Sequence, residues 1–123
     1  MNKLFEAPRS TQDDLTVLTA PTEIDIINAD RLLYDLMSAA KSAPMIVLDM
    51  TATTFCDSSG FRRMSLAGDH LRAIGGDLRV VCSDRMHMLL SINQDDEHLS
   101  VFSNMTEAAI ASPSLTDELV PAA

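Results

Sequence analysis

The sequence has no tryptophan, and aromatic residues make up only 4% of its 123 positions. Any core must therefore be aliphatic, built from Leu, Ile, Val, Ala and Met. The 46% apolar content suffices for that, since a domain of this length buries roughly two-thirds of its unfolded surface. No stretch approaches the roughly 18 consecutive apolar residues of a membrane-spanning helix. Residues 1–10 hold one lysine and one arginine but no apolar run of the kind a secretion signal needs, so a cytoplasmic location is expected. The only two cysteines, Cys56 and Cys82, sit in apolar segments without metal-ligand spacing and read as inert core thiols, not as a redox pair. Lysine is confined to Lys3 and Lys41, and acidic residues outnumber basic ones 18 to 9, giving a net charge of −9. An acidic surface repels phosphate backbones and anionic lipid, so neither nucleic acid nor membrane is an expected partner.

What is present alternates in type along the chain. Residues 15–20 read as a strand closed by Pro21. Asn28 is placed to cap a helix in which Leu32, Leu33, Leu36, Met37 and Ala40 follow helical spacing. Pro44 precedes the apolar run 45–50, as expected of a strand buried on both faces. After a linker, Phe61, Met64, Leu66, Leu71 and Ile74 mark a second helix over 58–74, stopped by Gly75-Gly76. Residues 78–82 and 99–102 read as strands. Ser83-Asp84 caps a helix to Leu90, and Asn104 caps another to Ala111 before Pro113. Leu4 and Phe5 are the only candidates for an edge strand within residues 1–14, and 112–123 reads as a tail. The alternation predicts an α/β fold with a mixed, mostly parallel sheet of four to five strands and about four helices. Function in such folds sits beyond the carboxyl ends of the strands. That places Asp57-Ser58-Ser59-Gly60, between an apolar strand and a helix, at the centre of attention.

Residues 45–60, MIVLDMTATTFCDSSG, resemble the central signature of STAS domains: an apolar strand ending in Asp, a short linker, an aromatic, then Asp-Ser-Ser-Gly. Thr22-Glu23-Ile24-Asp25 is similar to the family's Gly-Glu-Leu-Asp turn. Gly75-Gly76, and Val101-Phe102 before Glu107-Ala108-Ala109, fall at the family's intervals. The resemblance spans roughly residues 15–111 and implies a single STAS domain of the anti-sigma factor antagonist type, which is not an enzyme and needs no cofactor. It implies Ser58 as the phosphoacceptor. The expected partner is an anti-sigma factor of the GHKL-type serine kinase class, with a phosphatase reversing the modification. The docking surface is expected to include Asp57, Ser58, Ser59, Gly60 and Arg62, with Glu23 and Asp25 nearby. Asp57 is expected to cap the helix and orient the acceptor, and Gly60 to keep the surface beside it low. Asp57, Ser58 and Ser59 also suit a purely structural helix cap. The sequence departs from the family pattern at Thr22, at Phe61-Arg62-Arg63 and over 93–97, where members carry glycines. Arg62, four residues after Ser58, is placed to face a phosphate.

Enzymatic readings fare poorly. DSSG is not the G-x-S-x-G elbow of serine hydrolases, and His70 lies too far along the same helix to form a triad. There is no glycine-rich phosphate loop. A receiver domain would need a late lysine, which this chain lacks. His70, His87 and His98 are dispersed, and the eight methionines read as core filler instead of a soft-metal site. The remaining alternative is a constitutive STAS scaffold, as in a transporter subunit or a stress-signalling complex, without Ser58 modification.

Overall fold

The computed structural model describes residues 15–92 and 99–111. In chain order the elements are β1 (Leu15–Thr19), β2 (Glu23–Ile24), α1 (Ala29–Ala40), β3 (Met45–Met50), β4 (Phe55–Cys56), α2 (Ser58–Ala73), β5 (Asp77–Cys82), α3 (Asp84–Ile92), β6 (Ser100–Phe102) and α4 (Met105–Ile110). The main sheet has four strands in the order β1-β3-β5-β6, and every pairing is parallel. The α/β class, with four main strands and four helices, is as expected. The edge-strand candidate at Leu4 and Phe5, the 93–97 segment, His98 and the tail lie outside the described residues.

Because the strand order advances in one direction, right-handed crossovers put α1, α2 and α3 on the same face. The core there joins Leu18, Ile46, Leu48 and Leu78 to Leu36 of α1, Met64 of α2 and Leu90 of α3. α4 follows the last strand, is bound by no crossover, and packs Ala108 on the opposite face against Leu15, Val47 and Val81. β5 is buried along its whole length, and that includes two charged residues: Arg79, inside the expected strand, and Asp77, one residue before its expected start. Arg79 donates from Nη1 to the Ala108 carbonyl at 2.9 Å, which fastens α4 to the sheet. Asp77 accepts the Ser100 hydroxyl at 2.9 Å, linking β5 to the start of β6.

The helix ends follow local chemistry, with one correction. Asn28 occupies the cap position of α1 but makes no side-chain cap bond. Its side chain turns back, accepting from the Asp25 amide at 2.9 Å and donating to the Glu23 carbonyl at 2.8 Å. Asp25 closes the turn that leads into the helix, its carboxylate accepting the Ile27 and Asn28 amides at 2.9 and 3.3 Å and its carbonyl the Ala29 amide at 2.8 Å. α2 closes as a Schellman motif: the Gly76 amide reaches Leu71 O at 2.7 Å and the Gly75 amide reaches Arg72 O at 3.1 Å. Gly75 has φ +89°, the left-handed region where a Cβ is strained. Leu66 and Ile74, taken from spacing as core positions of this helix, are each 50% exposed. The buried stripe runs instead through Phe61, Met64, Ala67 and Leu71.

Leu48→Ala should lower unfolding free energy in urea by about 2–5 kcal/mol, as removal of a fully buried leucine does elsewhere. Gly75→Ala should cost about 1 kcal/mol through backbone strain alone, with no change in the native far-UV spectrum.

Candidate functional site

β1 and β3 are parallel neighbours, so the segments leaving their carboxyl ends run side by side and pair again as the parallel two-stranded ribbon β2–β4. Partners differ by 30 positions in the main ladder (Thr19 opposite Asp49) and by 32 in the ribbon (Glu23 opposite Phe55). The two additional residues after β3 are taken up in a turn. Asp49 accepts the amide and hydroxyl of Thr51 at 2.9 and 2.7 Å, and the Thr53 amide reaches Met50 O at 3.0 Å. Two threonine hydroxyls then tie the segments together, Thr53 to Pro21 O at 2.8 Å and Thr54 to Thr22 O at 3.3 Å. The 51–57 stretch, which sequence reading left as a linker, is thus an ordered platform.

α2 begins on this platform. The Asp57 amide donates to Ile24 O at 3.0 Å, and the Asp57 side chain accepts the Gly60 amide at 3.2 Å, so Asp57 is the N-cap. Ser58 is the first helical residue and is exposed, while Ser59 is half-buried. Gly60 is buried, and its role differs from the one expected. A Cβ there would fall 2.5 Å from Ile24 Cγ2 and 2.6 Å from Cys56 Sγ. Its bareness lets the helix start seat on the ribbon and does not shape the outer surface.

The outward face of the same end carries the other expected residues. Glu23 is exposed in register with Phe55, and Asp25, half-buried, is held in the turn before α1. Arg62 is exposed one turn further along α2 from Ser58. Arg63 turns away and pairs with Asp30 of α1 at 2.7 Å. The structure therefore brings Glu23, Asp25, Asp57, Ser58, Ser59 and Arg62 to one end of the sheet. It also places three apolar residues there that sequence reading did not single out: Ile26, Ile27 and Phe55, 72, 86 and 49% exposed.

Chemically the arrangement presents an unactivated hydroxyl. The Ser58 and Ser59 amides open α2 without intrahelical acceptors and carry the positive end of its dipole. No base stands beside Ser58 on this helix: His70 lies twelve residues along, about 18 Å at the helical rise. Among the described residues no group of His, Cys, Asp and Glu is arranged to hold a metal ion. No helix there is long and apolar enough to cross a membrane. Both cysteines are buried and unbridged. Burial, and after it the Asp84 carboxylate, push the Cys82 thiol up to about 11 from 9.0.

A family model described as STAS domain matches residues 7–108. A search of curated proteins returned no match. Among solved structures, an anti-sigma factor antagonist from Mycobacterium paratuberculosis superposes with a TM-score of 0.73 at 22% identity, covering 85% of this chain and 90% of its own. The anti-sigma factor antagonist SpoIIAA in its unphosphorylated form gives 0.61 at 18%, covering 79% and 86%. The murine Solute Carrier 26 family member A9 anion transporter gives 0.65 at 16%, covering 79% of this chain but 17% of the transporter.

Two predictions test the packing of this end. Gly60→Ala should destabilise the domain by about 1–3 kcal/mol through overpacking. Cys56→Ala in the same chain should recover part of that loss, a coupling measurable in a double-mutant cycle by urea denaturation. Cys82 should alkylate at pH 8 on the order of a hundredfold more slowly in the native protein than in denaturant. The cause is its raised pKa: the neutral thiol is the folded form, so its contribution to stability is complete below pH 9.0 and lost as pH rises through about 11.

Proposed function

The chain belongs to the STAS domain family, and from that premise we propose that it is an anti-sigma factor antagonist whose Ser58 is phosphorylated by the anti-sigma factor it binds. The observation that carries the reading is the exposed Ser58 hydroxyl at the first position of a capped, 16-residue helix. With no histidine beside it on its helix, it is suited to be a substrate for another protein's catalytic groups and not a nucleophile of its own. The fold likeness to anti-sigma factor antagonists, one of them described in an unphosphorylated form, supports the same reading.

The switch works by charge. In the bound complex the γ-phosphoryl group of ATP passes to Ser58 Oγ, the hydroxyl proton leaves to solvent or to a base of the kinase, and ADP departs. The phosphoryl group adds roughly −1.5 to −2 of charge where the partner docks. An interface built around a neutral hydroxyl then has to desolvate that charge. Losing even about 3 kcal/mol weakens binding on the order of a hundredfold. The unmodified protein sequesters the anti-sigma factor and frees the sigma factor; the phosphorylated protein releases it, and a phosphatase resets the cycle. The chain acts throughout as a binding protein, in the cytoplasm where sigma factors work.

The second reading is a constitutive scaffold, favoured by the transporter likeness, in which Ser58 carries no phosphate. Calorimetry with the purified anti-sigma kinase separates the two. Ser58→Ala should bind as tightly as unmodified protein and accept no phosphate. Ser58→Asp should bind more weakly, though less so than the phosphoprotein, since a carboxylate carries the smaller charge. Phosphosite mapping after incubation with kinase and ATP should locate the modification at Ser58 alone. Equal affinity of phosphorylated and unmodified protein would leave the scaffold reading standing.

A further inference from the structure

Nine large apolar residues are strongly exposed among the described residues, and six of them are spread over the four helices and their ends. Scattered exposure of that kind is ordinary. The other three are not scattered. Ile26 and Ile27 form the tip of the turn after β2, and Phe55 stands on the outer face of β4, opposite Glu23. The ribbon register brings these two segments together from positions about thirty residues apart in the chain. Ser58 follows Phe55 by three positions.

The tip is held rigidly. The Ile27 amide is fixed to Asp25 Oδ1 at 2.9 Å, the Asp25 amide to Asn28 Oδ1 at 2.9 Å, and Asn28 Nδ2 to Glu23 O at 2.8 Å. Two isoleucines at 72 and 86% exposure on a braced turn present apolar surface whose ordering cost has already been met in folding. Around them the charge is predominantly negative: Glu23, Asp25 and Asp57 border the apolar residues, and Arg62 is the nearby cation on α2. In a chain of net charge −9, that border repels both anionic lipid and a second copy of itself.

We infer that Ile26, Ile27 and Phe55 are the apolar anchor by which the anti-sigma factor is held, seated in an apolar socket of the partner ringed by Lys or Arg. This rests on the proposed function and names the determinant of partner choice beside Ser58. Anchoring falls to the isoleucines and Phe55, switching to Ser58. The acidic border sets orientation and the speed of encounter, which salt screens.

The test uses the full chain and the purified anti-sigma kinase of the source genome. Ile26→Ala, Ile27→Ala and Phe55→Ala should each weaken binding about tenfold, and the two isoleucine changes together on the order of a hundredfold. Thermal midpoints of the two isoleucine variants should be unchanged, because those side chains are exposed. Phosphate incorporation at Ser58 should slow in these variants at limiting kinase and recover at saturating kinase, whereas Ser58→Ala binds normally. Raising the salt should weaken wild type and variants by the same factor. If wild type binds no anti-sigma kinase, the proposed function fails and the anchor with it. If wild type binds and the alanine variants bind equally well, the anchor alone is overturned. It is also overturned if the variants lose self-association or adsorption to phosphatidylcholine vesicles that wild type displays, since the patch then serves a second copy or a lipid surface.

Discussion

The position of Ser58 depends on one close approach, that of the first turn of α2 to the β2–β4 ribbon. Gly60 lies where any side chain would overlap Ile24 and Cys56, and the Asp57 amide donates its hydrogen bond to Ile24 O in the adjoining segment. The helix start is therefore located by the ribbon, not by the main sheet. The ribbon in turn exists because the chain after β3 absorbs two residues more than the chain after β1, in a turn held by Asp49 and Thr51. Shifting that turn by one residue would reverse which of Phe55 and Cys56 faces outward. The apolar tip, the cap and the hydroxyl would then no longer share a surface.

Most of the architecture was legible because its elements are punctuated by chemistry that acts locally. Pro44, Gly75-Gly76 and Asn104 mark boundaries within a residue or two of where they fall, and the aliphatic runs at 45–50 and 78–82 mark buried parallel strands. Asn28 shows the limit of that reasoning. It has the right type and position for a cap, yet its side chain is engaged backward, on the Asp25 amide and the Glu23 carbonyl, by the turn that precedes the helix. Leu66 shows another limit, since helical spacing admits two neighbouring stripes and only tertiary packing decides which one is buried. The ribbon was illegible because two-residue strands carry no periodicity; their pairing follows from the register of β1 with β3, a long-range fact.

The candidate site was legible in part for the same reasons. Asp57-Ser58-Ser59-Gly60 announces a helix start, and the structure places one there. Nothing in the tetrapeptide says that Glu23 and Asp25 stand beside it; their place follows from β1 and β3 being neighbours. Exposed apolar residues are harder still to find. In a sequence an isoleucine counts toward the core, and only the tight Asp25–Asn28 turn forces Ile26 and Ile27 outward. The converse error arises at Arg79, whose charge suggests solvent. It is 3% exposed, its guanidinium spent on the Ala108 carbonyl that holds α4 to the far face.

The separation between fold and surface decides what a phosphate at Ser58 can do on the proposed reading. Inside the domain it meets little opposition. The Ser58 and Ser59 amides have no helical acceptors and lie at the positive end of a 16-residue helix. The Asp57 carboxylate, already bonded to the Gly60 amide, is the nearest like charge, and it is only half-buried, so solvent screens the repulsion. The packing that locates the helix start runs through Gly60, Ile24 and Cys56, on the opposite side from the hydroxyl. Phosphorylation therefore leaves the scaffold as it was. At a protein–protein interface the same group would lose the screening that made it harmless, because docking removes the water around it, and among the described residues Arg62 is the exposed cation one turn along the same helix. A residue can thus be neutral for stability and decisive for association when it sits on the far side of a helix start from the contacts that fix that start. Ser58 sits on that side.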